Sequence, residues 1–190
     1  LVSQSEGGEK PEEKEKIELE DLAVRIHKAI GLSHYSRSDF IVSMRGIYAL
    51  EAKDKYTLGH ASRVGQYSAM VAEEMGLPED QVSTIEHAGL LHDVGKVCIS
   101  DEILLKPGAF TMVEFEKMKE HPLLGYQMIR PIKFLKDEAL IILHHHEWFN
   151  GKGYPHGLKG KEIPIGARVV AVLDAYDTMH AAGARYKKTL

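Results

Sequence analysis

The residues of widest chemical reach in this chain are its histidines, 11 in 190 residues, and their positions matter more than their number. In chain order His60, the pair His92-Asp93, His121, the pair His145-His146, and Asp174 make a set of imidazoles and carboxylates without a thiolate. Donors of this kind suit borderline divalent ions such as iron, manganese, nickel or zinc. Five histidines and two aspartates exceed what one ion uses, so the natural arithmetic is two ions sharing a bridging carboxylate. Such ions, about 3.5–4 Å apart, orient a phosphoryl group and supply a hydroxide nucleophile at neutral pH. The single Cys98 excludes a disulfide framework and any multi-cysteine zinc or iron–sulfur site. A reducing, cytoplasmic setting fits it.

The elements must bring these side chains to one place. Adjacent residues on a regular helix point about 100° apart, so His92 and Asp93 cannot converge on a shared centre from deep inside one helix. At a helix end, just before Gly95, they can: His92 takes one metal and Asp93 bridges to a second. His145-His146 are placed in the same way, near a helix end ahead of Asn150-Gly151. The partial negative charge of a helix C-terminus favours a cation nearby.

The surrounding sequence reads as successive helices. One spans about 38–52, and another from Leu58 puts Ala61, Val64, Ser68, Val71 and Met75 on its buried face. Gly76 stops that helix and Pro78 starts the next at its N1 position, with Val82, Ile85, Ala88 and Leu91 facing inward. Thr111 and Glu114 form a capping box for the helix before His121. Further helices cover about 122–128, 137–146 and 165–179. Residues 150–164 are a Gly/Pro-rich loop too long for a plain connector. No period-two alternation demands a sheet, and the fold class is all-α.

Residues 1–16 are polar and read as a linker, 17–35 as a connecting or dimerisation helix ended by Gly31, and 36–190 as the catalytic domain. Apolar residues make up 44% and charged residues 27%, enough for a soluble domain with a real core. Residues 1–20 hold seven Glu and three Lys, and the rest balances at 21 of each sign, so bulk nucleic-acid binding is excluded as a function class. No run is long and apolar enough for a membrane span. The chain opens on Leu1, and the expectation is a fragment preceded by a sensory or receiver domain that regulates it.

The segment His92-Asp93-Val94-Gly95-Lys96 is the HDxGK signature. Combined with His145-His146-Glu147 and Asn150-Gly151-Lys152-Gly153-Tyr154-Pro155, it resembles the HD-GYP subfamily of HD-domain phosphohydrolases. The supporting matches are Tyr56-Thr57-Leu58-Gly59-His60 with Arg63-Val64, His121-Pro122 with Gly125, Ile163-Pro164 leading to Ala167-Arg168, and Asp174-Ala175-Tyr176-Asp177. Together they span about residues 50–187, in order and with spacing intact.

The resemblance implies an HD-domain helical bundle around a binuclear metal centre, iron or manganese first and nickel or zinc as alternatives. His60, His92, Asp93 and Asp174 would hold one ion; Asp93, His121, His145 and His146 would hold the other. Family members with a third ion carry Glu four residues before the first His; Tyr56 stands there, which implies two. The implied activity is hydrolysis of cyclic di-GMP to linear pGpG, and in some members to GMP, through a metal-bridging hydroxide. Lys96 would contact a phosphate or assist the leaving group. Arg185-Tyr186-Lys187 is similar to the family's Arg-Pro-Tyr-Arg segment, so Arg185 and Lys187 would grip the substrate. That segment lacks the proline, and the helix that normally follows is absent, so the C-terminal end is expected to be truncated.

Other readings were weighed beside these. His27, His34, His87, His156 and His180 read as surface or half-buried residues. His144 is a ligand only if the pair is slipped by one residue, and the spacing to Glu147 favours His145 and His146. Glu147 orients a ligand histidine or is a surface carboxylate. The Gly153-Tyr154-Pro155 loop is either a Gly-rich turn stiffened by the proline or, as the resemblance implies, a segment near the active site that contacts a protein partner. Asn150 replaces a common Asp, and Cys98 reads as a buried small hydrophobe. The competing functions are a catalytically weak cyclic-dinucleotide sensor signalling through a partner, and a mononucleotide phosphohydrolase of the wider HD superfamily, which lacks the 145–155 extension. Cyclic di-GMP against cyclic GMP-AMP, the product, and the oligomeric state, a homodimer included, are open.

Overall fold

In a computed structural model, the residues described are 59–186, with side chains through 180. The linker 1–16, the helices read at 17–35 and 38–52, Tyr56, Lys187 and the Arg185 side chain lie outside the described residues.

The described residues form α-helices joined by turns, with no strand among them, in keeping with the all-α expectation. Helix α1 is His60–Glu74 and α2 is Glu79–Leu91. A 3-10 turn over Val94–Cys98 follows, then the short α3, Asp101–Leu104, and α4, Met112–Met118. Helix α5 is His121–Ile129, α6 is Lys136–His144 and α7 is Ile165–Tyr186. No helix of the described residues is long and apolar enough to cross a membrane.

Local chemistry accounts for most boundaries. At the end of α1, Gly76 takes φ 71°, its N–H reaches Glu73 O, and the N–H of Leu77 reaches Ala72 O at 3.1 Å. These bonds satisfy carbonyls the helix leaves open, in a conformation that suits glycine. Pro78 is the N-cap of α2 rather than its first helical residue, one position earlier than expected. The Thr111–Glu114 capping box forms as read, with Glu114 N–H to Thr111 Oγ1 at 3.3 Å and Thr111 N–H to the Glu114 carboxylate at 2.7 Å. Lys106 also pairs with that carboxylate and, with the Thr111 amide, holds it down at about 2.

Helix α1 packs on α2 and α7, while α2 also meets α6 and α7. The core between them is Val64, Ala72, Val82, Ile85, Ala88, Ile141 and residues of α7 such as Ala167 and Val170. The inward face of α2 is as expected, but that of α1 is not. Ala61, Val64 and Ser68 are buried, whereas Val71 and Met75 are exposed and Ala72 is fully buried. A 3.6-residue period carries the face from 68 to 72, and an apolar side chain at 71 does not redirect it. Cys98 is also exposed, its Sγ 3.8 Å from Met128 Sδ; it sits in a tight 3-10 turn whose outer side faces solvent.

Two close backbone contacts fix the site-bearing elements. A Cβ on Gly89 of α2 would lie 2.9 Å from Gly65 Cα of α1. A Cβ on Gly95 would lie 2.0 Å from His121 O and 2.5 Å from Gly125 N. The HDxGK turn is therefore seated directly on the first turn of α5, an approach that only a glycine permits.

Candidate metal centre

Four helix ends meet at one point. His60 opens α1, His92 caps the end of α2, His121 opens α5, and His145 caps the end of α6. Asp93 follows His92 into the 3-10 turn, and Asp174 comes from the middle of α7. All seven residues singled out by type and spacing are brought together here.

They fall into two groups. His60, His92 and Asp93 present ligand atoms within 4.8 Å of one another, and His121, His145 and His146 do the same. Asp174 Oδ1 borders the first group, 3.2 Å from His60 Nε2 and 4.0 Å from His92 Nε2. Asp93 joins the two groups: its Oδ2 is 3.3 Å from His92 Nε2 and its Oδ1 is 3.3 Å from His121 Nε2.

Hydrogen bonds on the far side of each ring decide what faces inward. His92, His121 and His145 each place Nδ1 on a backbone carbonyl three residues earlier: Gly89 at 2.6 Å, Met118 at 2.8 Å and Ile142 at 2.7 Å. A carbonyl only accepts, so each Nδ1 carries a hydrogen, and Nε2 is the ring nitrogen that faces inward. His60 is set the same way by Asp177, whose Oδ2 takes Nδ1–H at 2.7 Å. Arg63 grips Asp177 from behind with a fork, Nε to Oδ1 at 2.7 Å and a terminal nitrogen to Oδ2 at 3.0 Å.

This arrangement fits a cation. His121 Nε2 and His145 Nε2 stand 3.3 Å apart, each ring having its Nδ1 already committed to a carbonyl, so the two inward nitrogens converge on one point. Among the described residues, His92 Nε2 is buried without a hydrogen-bond partner. Nitrogen and oxygen donors, oriented by bonds on their far side, are the surroundings a divalent ion requires.

The electrostatics divide the site. Burial depresses His145 well below the usual imidazole range, reinforced by the neighbouring rings of His146, His92 and His121. Burial, with His121, takes His146 down to about 4, so both rings are neutral at pH 7. Burial also opposes charge on His92, but Asp93 and Asp174 outweigh it and hold the ring up at about 9. Burial pushes Asp93 up, yet Lys96, His92 and His121 bring it well below the usual carboxylate range. The acid-rich group thus attracts a positive charge that the imidazole group is free to coordinate.

Lys96, in the 3-10 turn, places Nζ 2.5 Å from Asp93 Oδ2. His144 turns away from the centre, with Nδ1–H to Leu140 O and Nε2 3.2 Å from His156 Nδ1. Glu147 is not a surface carboxylate, and among the described residues its carboxylate hydrogen-bonds to no ligand ring. It is buried and accepts the N–H groups of His156 and Leu158 at 2.7 and 3.0 Å, strapping the glycine-rich loop in place. Asn150 Oδ1 accepts Lys152 N–H at 2.9 Å. The role of Asp177 escaped the sequence reading, although its position three residues after Asp174 put both carboxylates on one helix face.

A family model described as the HD domain matches residues 47–190. A cyclic di-GMP phosphodiesterase response regulator of Xanthomonas campestris pv. campestris is 44% identical over 136 residues, 70% of this chain and 36% of the relative. A cyclic di-GMP phosphodiesterase of Thermotoga maritima is 48% identical over 133 residues, 68% of this chain and 36% of the relative. The chain thus spans about a third of the length of these curated relatives. A solved structure of an HDG"Y"P protein from Bdellovibrio bacteriovorus is similar in fold, with a TM-score of 0.61 at 18% identity over 94% of this chain and 64% of that one.

Proposed function

This chain belongs to the HD-domain family, and from that premise we propose that it is a metal-dependent phosphodiesterase that opens cyclic di-GMP to linear pGpG. The observation that carries the reading is Asp93, whose two carboxylate oxygens face two different histidine groups at 3.3 Å. The names of the Xanthomonas and Thermotoga relatives support the substrate.

His60, His92, Asp93 and Asp174 would hold one divalent ion, and Asp93, His121, His145 and His146 a second, with iron or manganese as the proposed metals. Bound there, such a pair lowers the pKa of water from 15.7 towards about 7 and neutralises charge on the phosphoryl oxygens. The chain's own part is to hold four of the five histidines by hydrogen bonds on Nδ1, so that little reorganisation is needed at the moment of reaction. His145 and His146 stay neutral, and Asp93 stays ionised. Lys96, beside Asp93, places a cation next to the centre for a substrate phosphate. Arg185 and Lys187 are the proposed grip on the rest of the dinucleotide. Residues 36–190 are the proposed catalytic domain, regulated by an input domain.

The test is metal content and turnover on one preparation supplied with Mn²⁺ or Fe²⁺. Wild-type chain is expected to hold two equivalents and hydrolyse cyclic di-GMP, and Asp93→Ala to lose turnover. A wild type with bound dinucleotide and metal but no product defeats the phosphodiesterase reading in favour of a sensor.

A further inference from the structure

Five histidines line the centre, and four of their rings are fixed by a hydrogen bond on Nδ1, to Asp177 or to a backbone carbonyl. His146 differs. It lies past the C-cap of α6, and among the described residues its ring makes no side-chain hydrogen bond. Its neighbours are rings: His145 at 4.0 Å, Tyr154 at 4.9 Å and His121 at 5.0 Å between centroids. An imidazole without a polar anchor swings about a broad terminal torsion, so something else must define its orientation.

We infer that Tyr154 is the positioning residue of His146, and that Lys119 clamps it in place. The inference rests on the two-ion reading above. Tyr154 is tied to residue 146 twice. Its backbone N–H donates to His146 O at 3.1 Å, and its ring lies over the His146 ring with an interplanar angle of 32°. Gly153 makes this possible, since a Cβ there would lie 2.2 Å from Trp148 N and 2.5 Å from His146 O. Glu147 secures the far half of the same loop. On the other side, Lys119 places Nζ 5.5 Å from the Tyr154 centroid and 5.5 Å from that of Phe115, within the range of cation–π attraction. Glu116 pairs with the same ammonium at 2.8 Å. Lys119 thus joins the segment leading to His121 with the loop that covers His146. Among the described residues, these contacts are made by the backbone N–H and the aromatic face of Tyr154.

The experiment is Mn²⁺ titration by calorimetry, with electron paramagnetic resonance to distinguish coupled ions from isolated ones, on wild type and three variants whose melting temperatures are also taken. Tyr154→Leu is expected to weaken the second ion about 10–100-fold, the usual effect of removing a group that orients a ligand, while the first ion binds as before. The resonance of coupled ions then gives way to that of an isolated one. Tyr154→Phe is expected to bind both ions like wild type, and Lys119→Met to weaken the second about two- to fivefold. Two ions in wild type with unchanged affinity in Lys119→Met and Tyr154→Leu overturns the inference and leaves the two-ion reading intact. Tyr154→Phe as weak as Tyr154→Leu overturns it also, by assigning the effect to the hydroxyl. If Tyr154→Leu does not fold, unchanged second-ion affinity in Lys119→Met is decisive against it. A wild type that takes up no Mn²⁺ overturns the two-ion reading itself, before any variant is compared.

Discussion

At His60 the decisive contact is on the side of the ring facing away from the centre. Asp177 fixes the tautomer, and Arg63 keeps Asp177 ionised and aimed. Arg63 and His60 are the main reasons the Asp177 carboxyl lies below its usual range against the opposing effect of burial. Asp177→Asn keeps the shape but removes the charge from both partners. It is expected to weaken the ion held by His60, His92, Asp93 and Asp174 by about 10–100-fold and to spare the ion at His121, His145 and His146. Calorimetric titration with Mn²⁺ separates the two; equal loss at both would show that Asp177 acts on the fold rather than on one ring. The seven residues that cluster here were legible in the sequence because few residue types suit metal chemistry. Asp177, Arg63 and Glu147 were not, because a carboxylate or a guanidinium has many uses and only packing selects one.

At the scale of elements, the helices supply ligands mainly from their ends, where neighbouring residues need not diverge. The sequence showed this for His92-Asp93 and for His145-His146, since a helix that must stop before Gly95 or Asn150 can be read from residue chemistry. It did not show why position 95 is glycine. The seat of the 3-10 turn on α5 is a contact between backbones distant in sequence, and no local pattern encodes it. Gly95→Ala would drive Cβ to 2.0 Å from His121 O, an atom that cannot move alone. It is expected to cost about 3 kcal/mol, the upper end for overpacking, measured by urea unfolding. Gly125→Ala is the milder neighbour: its closest contact, at 3.0 Å, is the Ile142 Cγ2 methyl, which can give way, and about 1 kcal/mol is expected. Equal costs at the two positions would contradict the seat. The inward face of α1 was misread at residues 71 and 75 for a related reason: where several apolar residues lie near one face, the partner helix selects among them.

For the molecule as a whole, the centre draws on α1, α2, α5, α6 and α7, so an ion held there would bridge parts of the chain that separate on unfolding. A ligand that binds only the folded state stabilises it by about 2.7 kcal/mol at a hundred times its dissociation constant. Mn²⁺ is therefore expected to raise the melting temperature in proportion to the logarithm of its concentration, and Asp93→Ala to abolish most of that rise. A scanning calorimetry series with no shift in wild type would place the ions, if any, outside the folded core. The order of helices along the chain was readable, but the meeting of their ends was not, since it depends on crossings such as that of Gly65 with Gly89.

The seat of Gly95 on His121 has one more consequence. Because backbone touches backbone there, the interval between the two donor groups is set by main-chain geometry rather than by adjustable rotamers. It acts as a ruler of fixed length with Asp93 as its span. On the two-ion reading, such a ruler would favour ions with donor distances near 2.0–2.2 Å over Ca²⁺, which requires 2.3–2.6 Å. The ions the centre would accept then depend in part on a glycine that carries no ligand atom.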